Sequence, residues 1–314
     1  MSNVCCQSGL PNFGRGKCTT QIGEVVGLIF VPTFNSINVM NGIGLAGPFG
    51  QTQITTLLTN NPEGQNRWTP SPRMYAVTLP VADTVFDEAT DGTKSFVREG
   101  IWSMAAEIRD RDAVPPVLKK LKKMRCKEWS CYLVTRDNQL VGRINAEGTI
   151  MYPLQSNSGS IDPKMMFRDA AATNKIMFGF DFDNLIKQED LYVLQGEDLT
   201  TPVDFLRLQK NTDVTITVVG NPTTTSVVVD VKSDFATGLT PNNDVVGLDG
   251  LADFALFNET TGHTSIPITA IDEDPLVDGR YELTFGAQTS GDEMYIEMAT
   301  PQIFFEGNTT FEIP

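Results

Sequence analysis

The chain has 314 residues, 40% of them hydrophobic and 20% charged, a length that points to about two domains and a composition that excludes long disorder. No run approaches the ~18 uncharged apolar residues of a membrane helix, and the polar start from Met1 to Lys17 does not read as a signal peptide, so a protein kept in a cytoplasm, or entering a particle assembled there, is expected. The net charge of −15 is uneven: from Gln209 onward there are 3 basic and 17 acidic residues, leaving 21 and 22 before it, a step that marks two units, the second too acidic to bind DNA itself.

Residues 1–70 read as an irregular arm around one apolar run, Val25 to Val31, a buried strand closed by Pro32. Gly42, Gly44, Gly47 and Pro48 predict a loop, and Gln51 to Leu58 a short helix. Residues 71–208 form a compact β unit. Met74–Leu79 and Lys94–Ile108 are strand candidates joined through the acidic tip Asp87, Glu88, Asp91 and Gly92, which together predict a long hairpin.

A helix follows, with Asp112 as its cap and Pro115 and Pro116 in its first turn. Val114, Val117, Leu118, Leu121 and Met124 recur at helical spacing, while Lys119, Lys120, Lys122 and Lys123 line the other face. Strands resume at Glu128–Arg136 and Gln139–Ile144 around an Asp137-Asn138 turn. The cleanest alternation sets Ile176, Phe178, Phe180 and Phe182 against Met177, Gly179, Asp181 and Asp183, so one face is buried and the other meets water or a partner.

From residue 209 the pattern is all-β. Val214, Ile216 and Val218 alternate with threonines, and Val227, Val229 and Val231 bracket Val228 and Asp230. Further strands are read at Phe254–Phe257, Ile266–Ile271, Tyr281–Phe285 and Met294–Met298, punctuated by Thr261-Gly262, Asp278-Gly279 and Ser290-Gly291. Short strands at this spacing suggest a small sandwich of immunoglobulin-like type.

The residues offer little chemistry. Cys5, Cys6, Cys18, Cys126 and Cys131 lack zinc-type pairing, and His263 is the sole histidine, so free thiols, no metal and no cofactor are expected. His263 sits in a Thr-Gly-His-Thr turn and reads as an exposed loop residue. The Gly9 to Lys17 run has Arg15 where a phosphate loop needs lysine. Asp272, Glu273, Asp274 and Asp278 read as a solvated acidic turn. Trp68, Trp102 and Trp129 read as packing residues before sugar-stacking ones. With no catalytic set, an enzyme is not expected.

The pattern across residues 24–208 resembles the phage tail-tube (major tail) proteins. The resemblance is carried by the segment Gly92-Thr93-Lys94-Ser95-Phe96-Val97-Arg98-Glu99-Gly100, the lone helix Pro115–Arg125, the hairpin Trp129–Ile144, and the strands Gly159–Phe167 and Asn174–Asp183. It implies a mainly β fold: a sandwich or split barrel with one flanking helix, plus an immunoglobulin-like outer domain. The implied divisions are an arm at 1–23, a tube domain at 24–208 and the outer domain at 209–314.

It also implies hexameric rings that stack into a tube through which DNA passes without sequence-specific binding. The partners would be other copies of the chain and tail proteins such as the tape measure and terminator. The location would be the virion, with no membrane. Asp181 and Asp183 would face the lumen. The loop Asp83–Lys94, with Asp87, Glu88 and Asp91, would contact the next ring together with the arm before Glu24. The lysine face of the helix reads, from its residues, as a solvated face or as a salt-bridging surface to an acidic neighbour subunit. The alternatives are a ring or connector protein of a short tail and a capsid coat or decoration protein.

Overall fold

The computed structural model describes residues 21–45, 47, 49–60, 66–88, 90, 94–98, 100–109, 112–168, 173–184, 186, 190–208, 210, 212–233, 243–299 and 305–314. The fold is mainly β, and the chain divides into two compact units, Met1–Gln209 and Lys210–Pro314. Of the arm expected at 1–23, residues 1–20 lie outside the described residues.

In the first unit an eight-stranded sheet runs Ile43–Gly44, Ile150–Tyr152, Gln139–Ile144, Trp129–Thr135, Val25–Pro32, Thr69–Pro70. Leu154–Gln155 joins at Trp129–Thr135, and Leu191–Gln195 at Gln139–Ile144. The Val25 run is a central strand, antiparallel to Trp129–Thr135 with Ile29 opposite Tyr132. The glycine loop after Pro32 is not wholly irregular, because Ile43 and Gly44 pair with Met151 and Ile150.

This sheet is covered on both faces, which is why Trp129–Thr135 is buried along its whole length. On one face Leu28, Phe30, Cys131 and Leu133 pack against a second, four-stranded sheet and a helix. On the other, Ile29, Val31, Tyr132 and Val134 pack against Ile54, Leu58, Trp68 and Phe205. Full coverage favours a near-continuous apolar run over strict alternation. Asn138 turns the Trp129–Ile144 hairpin with φ 57°, a conformation asparagine tolerates.

Among the described residues two short helices accompany the sheets, where the resemblance implies one. Gln51–Thr55 continues as a π-helical turn, Thr56–Asn60. Pro115–Lys123 buries Val117 and Leu121, with Val114, Leu118 and Met124 half-buried beside them. Its cap is Val114, without a side-chain hydrogen bond, and not Asp112. The two prolines occupy the first helical positions, where their fixed φ suits a helix start, and this places Asp112 too early to reach the free N–H groups. All three tryptophans are core residues, 1%, 8% and 4% exposed for Trp68, Trp102 and Trp129.

The second unit has two sheets around one core. A five-stranded sheet runs Ile268–Glu273, Arg280–Phe285, Ser226–Ser233, Thr212–Val219, Phe305–Glu306, the last pair parallel. A four-stranded sheet runs Thr264–Ile266, Phe254–Asn258, Glu293–Met298, Asn308–Glu312. Val227, Val229 and Val231 from the first meet Leu256, Met294 and Ile296 from the second in that core. Gly262, Gly279 and Gly291 take positive φ at the three turns, the conformation glycine adopts at no steric cost.

Candidate functional site

The second sheet of the first unit carries the feature of most functional interest. Its order is Lys164–Met166, Lys175–Asp181, Ser103–Arg109, Met74–Thr78. The pairing sets Ile176 opposite Ile108, Phe178 opposite Ala106 and Phe180 opposite Met104, all buried against the core. The intervening residues form the outer face in rows: Met166, Lys175 and Arg109; then Lys164, Met177, Glu107 and Tyr75; then Gly179, Ala105 and Thr78; then Asp181 and Ser103. Met177 is 41% exposed where its neighbours Ile176 and Phe178 are 0% and 3%, so one face is core and the other is offered outward. Among the described residues, neither edge strand of this sheet pairs on its outer side. The Met74–Thr78 edge is bulged between Tyr75 and Thr78, with Ala76 at φ 48°.

Asp181 lies on the outer face but is held there. Its Oδ1 accepts a hydrogen bond from the Ser103 hydroxyl at 2.7 Å, and its N–H donates to Ser160 Oγ at 3.0 Å. Asp183 lies past the strand end and is half-buried, its N–H donating to the Gln155 carbonyl at 2.9 Å. The two carboxylates share strand parity, but only Asp181 belongs to the sheet.

The other end of the face holds a cluster that the sequence reading did not single out. Glu107 Oε1 accepts from Lys175 Nζ at 2.8 Å, and Oε2 accepts from Arg109 Nε and Nη2 at 2.9 and 2.7 Å. These two cations, the Lys175 hydrogen bond first, hold the Glu107 carboxyl below the ordinary glutamate value. The guanidiniums of Arg109 and Arg73 lie 5.4 and 5.7 Å from the Tyr75 ring centre. The parity that groups Met177 with Asp181 also groups Lys175 with them, and this signal was available in the sequence.

Between the Met74–Thr78 and Ser103–Arg109 strands the chain leaves the sheet as a two-stranded ribbon, Val85–Glu88 with Lys94–Arg98. The expected Lys94–Ile108 strand is therefore two strands. The break falls at Gly100, whose backbone lies against the Ala82 carbonyl so closely that no β-carbon fits. Every described side chain on the ribbon is exposed, including Val85 at 39%, Phe86 at 53% and Val97 at 54%. Asp83, Asp87, Glu88 and Lys94 are exposed too, with Lys94 3.6 Å from Glu88. Asp91, at the tip, lies outside the described residues.

On the helix, Lys119, Lys122 and Lys123 are exposed and Lys120 is half-buried. Beside it Asp162 takes Arg125 at 2.9 Å and Lys164 at 2.6 Å. The Lys164 hydrogen bond is the main reason the Asp162 carboxyl sits below the usual carboxylate value, with Arg125 and Lys122 adding to it.

In the second unit the acidic turn is spent on backbone groups. Glu273 Oε2 accepts from the Gly247 N–H at 3.0 Å, and Asp274 Oδ1 from the Leu276 N–H at 2.8 Å. His263 is exposed, at φ 60°, with its ring stacked 4.2 Å from Phe257 and Nδ1 2.7 Å from Glu259 Oε1. Of the described cysteines, Cys126 is exposed and Cys131 buried, and burial pushes the Cys131 thiol well up. Among the described residues no three His, Cys, Asp or Glu side chains converge as metal ligands would.

Comparison with the models of known protein families gives no match, and no curated protein matches the chain.

Proposed function

We propose that the chain is a structural subunit that closes edge to edge into hexameric rings, stacks them into a phage tail tube, and lets DNA pass through the lumen. The observation that carries this reading is the four-stranded sheet, with its apolar inner face, an outer face that mixes charged residues with Met166, Met177 and Tyr75, and two edges left unpaired among the described residues. Open edges invite pairing with another chain, and a ring of copies satisfies them all at once. The outer face then becomes the lumen wall, with Asp181 and Ser103 at one end and Glu107, Lys175 and Arg109 at the other.

The ribbon supports the same reading. A lone two-stranded hairpin is marginal in water, and this one exposes three large apolar side chains. Contact with the neighbouring ring would bury them. In such a particle the chain resides in the virion, beside tape-measure and terminator proteins.

The second unit is read as an immunoglobulin-like domain shown on the outside. In order of sequence its longer strands put the first, second, sixth and fifth in one sheet and the third, fourth, seventh and last in the other. Immunoglobulin-type sandwiches use this split, with strands A, B, E and D against C, F and G. Negative-stain electron microscopy of the purified chain tests the proposal: six-fold rings or tubes are expected, and particles of another symmetry would refute it.

A further inference from the structure

We infer that Glu107 is a charge-masking residue, which by holding Lys175 and Arg109 keeps the outer face of the four-stranded sheet from gripping a polyanion such as a nucleic-acid backbone. The residue composition of that face would otherwise suit phosphate. Arg73 and Arg109 lie over one aromatic ring, Tyr75, and Lys175 joins Arg109 through Glu107; basic groups interleaved with an aromatic are the usual footprint of nucleic-acid contact. Lys164 lies in the row of Glu107 and Tyr75.

The geometry answers this excess of cations. Both oxygens of Glu107 are engaged, one by the Lys175 ammonium and the other by two nitrogens of Arg109. The Glu107 side chain is 13% exposed, against 41% for Arg109. The carboxylate is therefore set deeper than Arg109, placed to offset one of the two positive charges while the guanidinium still faces solvent. Lys164 also meets a carboxylate, Asp162 at 2.6 Å, in a more exposed pair that Asp162 shares with Arg125. A phosphate approaching this face meets Lys175 and Arg109 with a carboxylate already between them, so contact with that pair would release fewer counterions.

The biological meaning rests on the tube reading: a lumen wall that neither holds nor strongly repels the DNA sliding past it. The test does not. Fluorescence anisotropy with a short labelled DNA duplex at low salt compares the full-length wild type with Glu107→Gln and Glu107→Ala. Wild type should bind negligibly. Both variants should bind, with a log–log salt slope steeper than the wild type's by about 2, as the freed Arg109 and Lys175 contribute roughly 0.9 each.

Adding Lys175→Gln and Arg109→Gln to Glu107→Gln should abolish the gain. Asp230→Asn is the control, since it removes one charge from the Arg280 pair of the second unit, where Arg280 Nε is 2.8 Å from Asp230. Equal binding by Asp230→Asn, binding by the wild type as tight as by the variants, or no binding by either Glu107 variant in folded form would overturn the inference. A chain that shows the predicted gain but forms no rings would keep the inference and remove the tube reading.

Discussion

The Ser103 hydroxyl donates to Asp181 Oδ1 at 2.7 Å across a strand pair whose opposite side is buried core. The carboxylate that the strand pattern directs outward is thus tied to the neighbouring strand. Ser103→Ala should lower the stability of the first unit by about 1 kcal/mol, the ordinary net worth of one hydrogen bond at a half-exposed site. Urea unfolding measures it, and an unchanged midpoint would mean that water replaces the serine at no cost.

Gly100→Ala should be among the most damaging single changes at the base of the ribbon. The Ala82 N–H donates to the Ile101 carbonyl at 2.9 Å, and the Ser103 N–H to the Pro80 carbonyl at 2.9 Å. A β-carbon at Gly100 would collide with the Ala82 carbonyl oxygen. Forcing these strands apart should cost about 2 kcal/mol, in the range of overpacked sites, and should weaken amide-exchange protection in Val85–Arg98 before the rest of the unit.

Ala76→Gly should act in the other direction. Ala76 holds φ 48° in a bulged edge strand, a left-handed conformation that costs a residue with a β-carbon roughly 1–2 kcal/mol. Glycine pays more backbone entropy on folding, so a net gain of about 0.5–1 kcal/mol is expected. Thermal melting of the two proteins side by side decides it, and a lower midpoint for the glycine variant would refute the strain.

Tyr281 links the second unit's five-stranded sheet to the segment around Val245. Its hydroxyl donates to the Val245 carbonyl at 2.6 Å and accepts from the Leu248 N–H at 3.3 Å. Burial pushes this hydroxyl up from 10 to about 12. The neutral form is therefore favoured by folding, so its contribution is complete below pH 10 and is lost as pH rises through about 12. Tyr281→Phe should cost about 1–2 kcal/mol near neutrality by leaving Val245 without its donor. The gap between the two proteins should close toward pH 12, and a gap that widens there would contradict the assignment.

The sequence made most of the strands legible because their side chains alternate at full contrast. Ile176 to Phe182 and Val227 to Val231 are buried at every second position, as their period of two requires. The buried run at Val25 and the Asp137-Asn138 turn were equally plain. Less legible was the break at Gly100, which depends on how closely two backbones approach and leaves no mark in hydropathy. Asp112 looked like a helix cap because capping residues are recognised by type, but the prolines set the start three residues later.

The Glu107 cluster was the harder case. Lys175 and Arg109 lie on adjacent strands separated by 66 positions, and a charged residue among apolar ones reads as solvated until the register is known. His263 stacking on Phe257 was hidden for a similar reason, since a turn and a strand face come together only in the folded sheet. Periodicity reports which face a residue occupies and not which neighbour it meets there.

The central claim is the ring, and electron microscopy of the full-length chain beside a variant lacking the ribbon residues 85–98 tests it most directly. The account predicts six-fold top views from both proteins, with stacking into tubes only where the ribbon is present. Stacked tubes from the shortened chain, or rings of another symmetry from either, would contradict it.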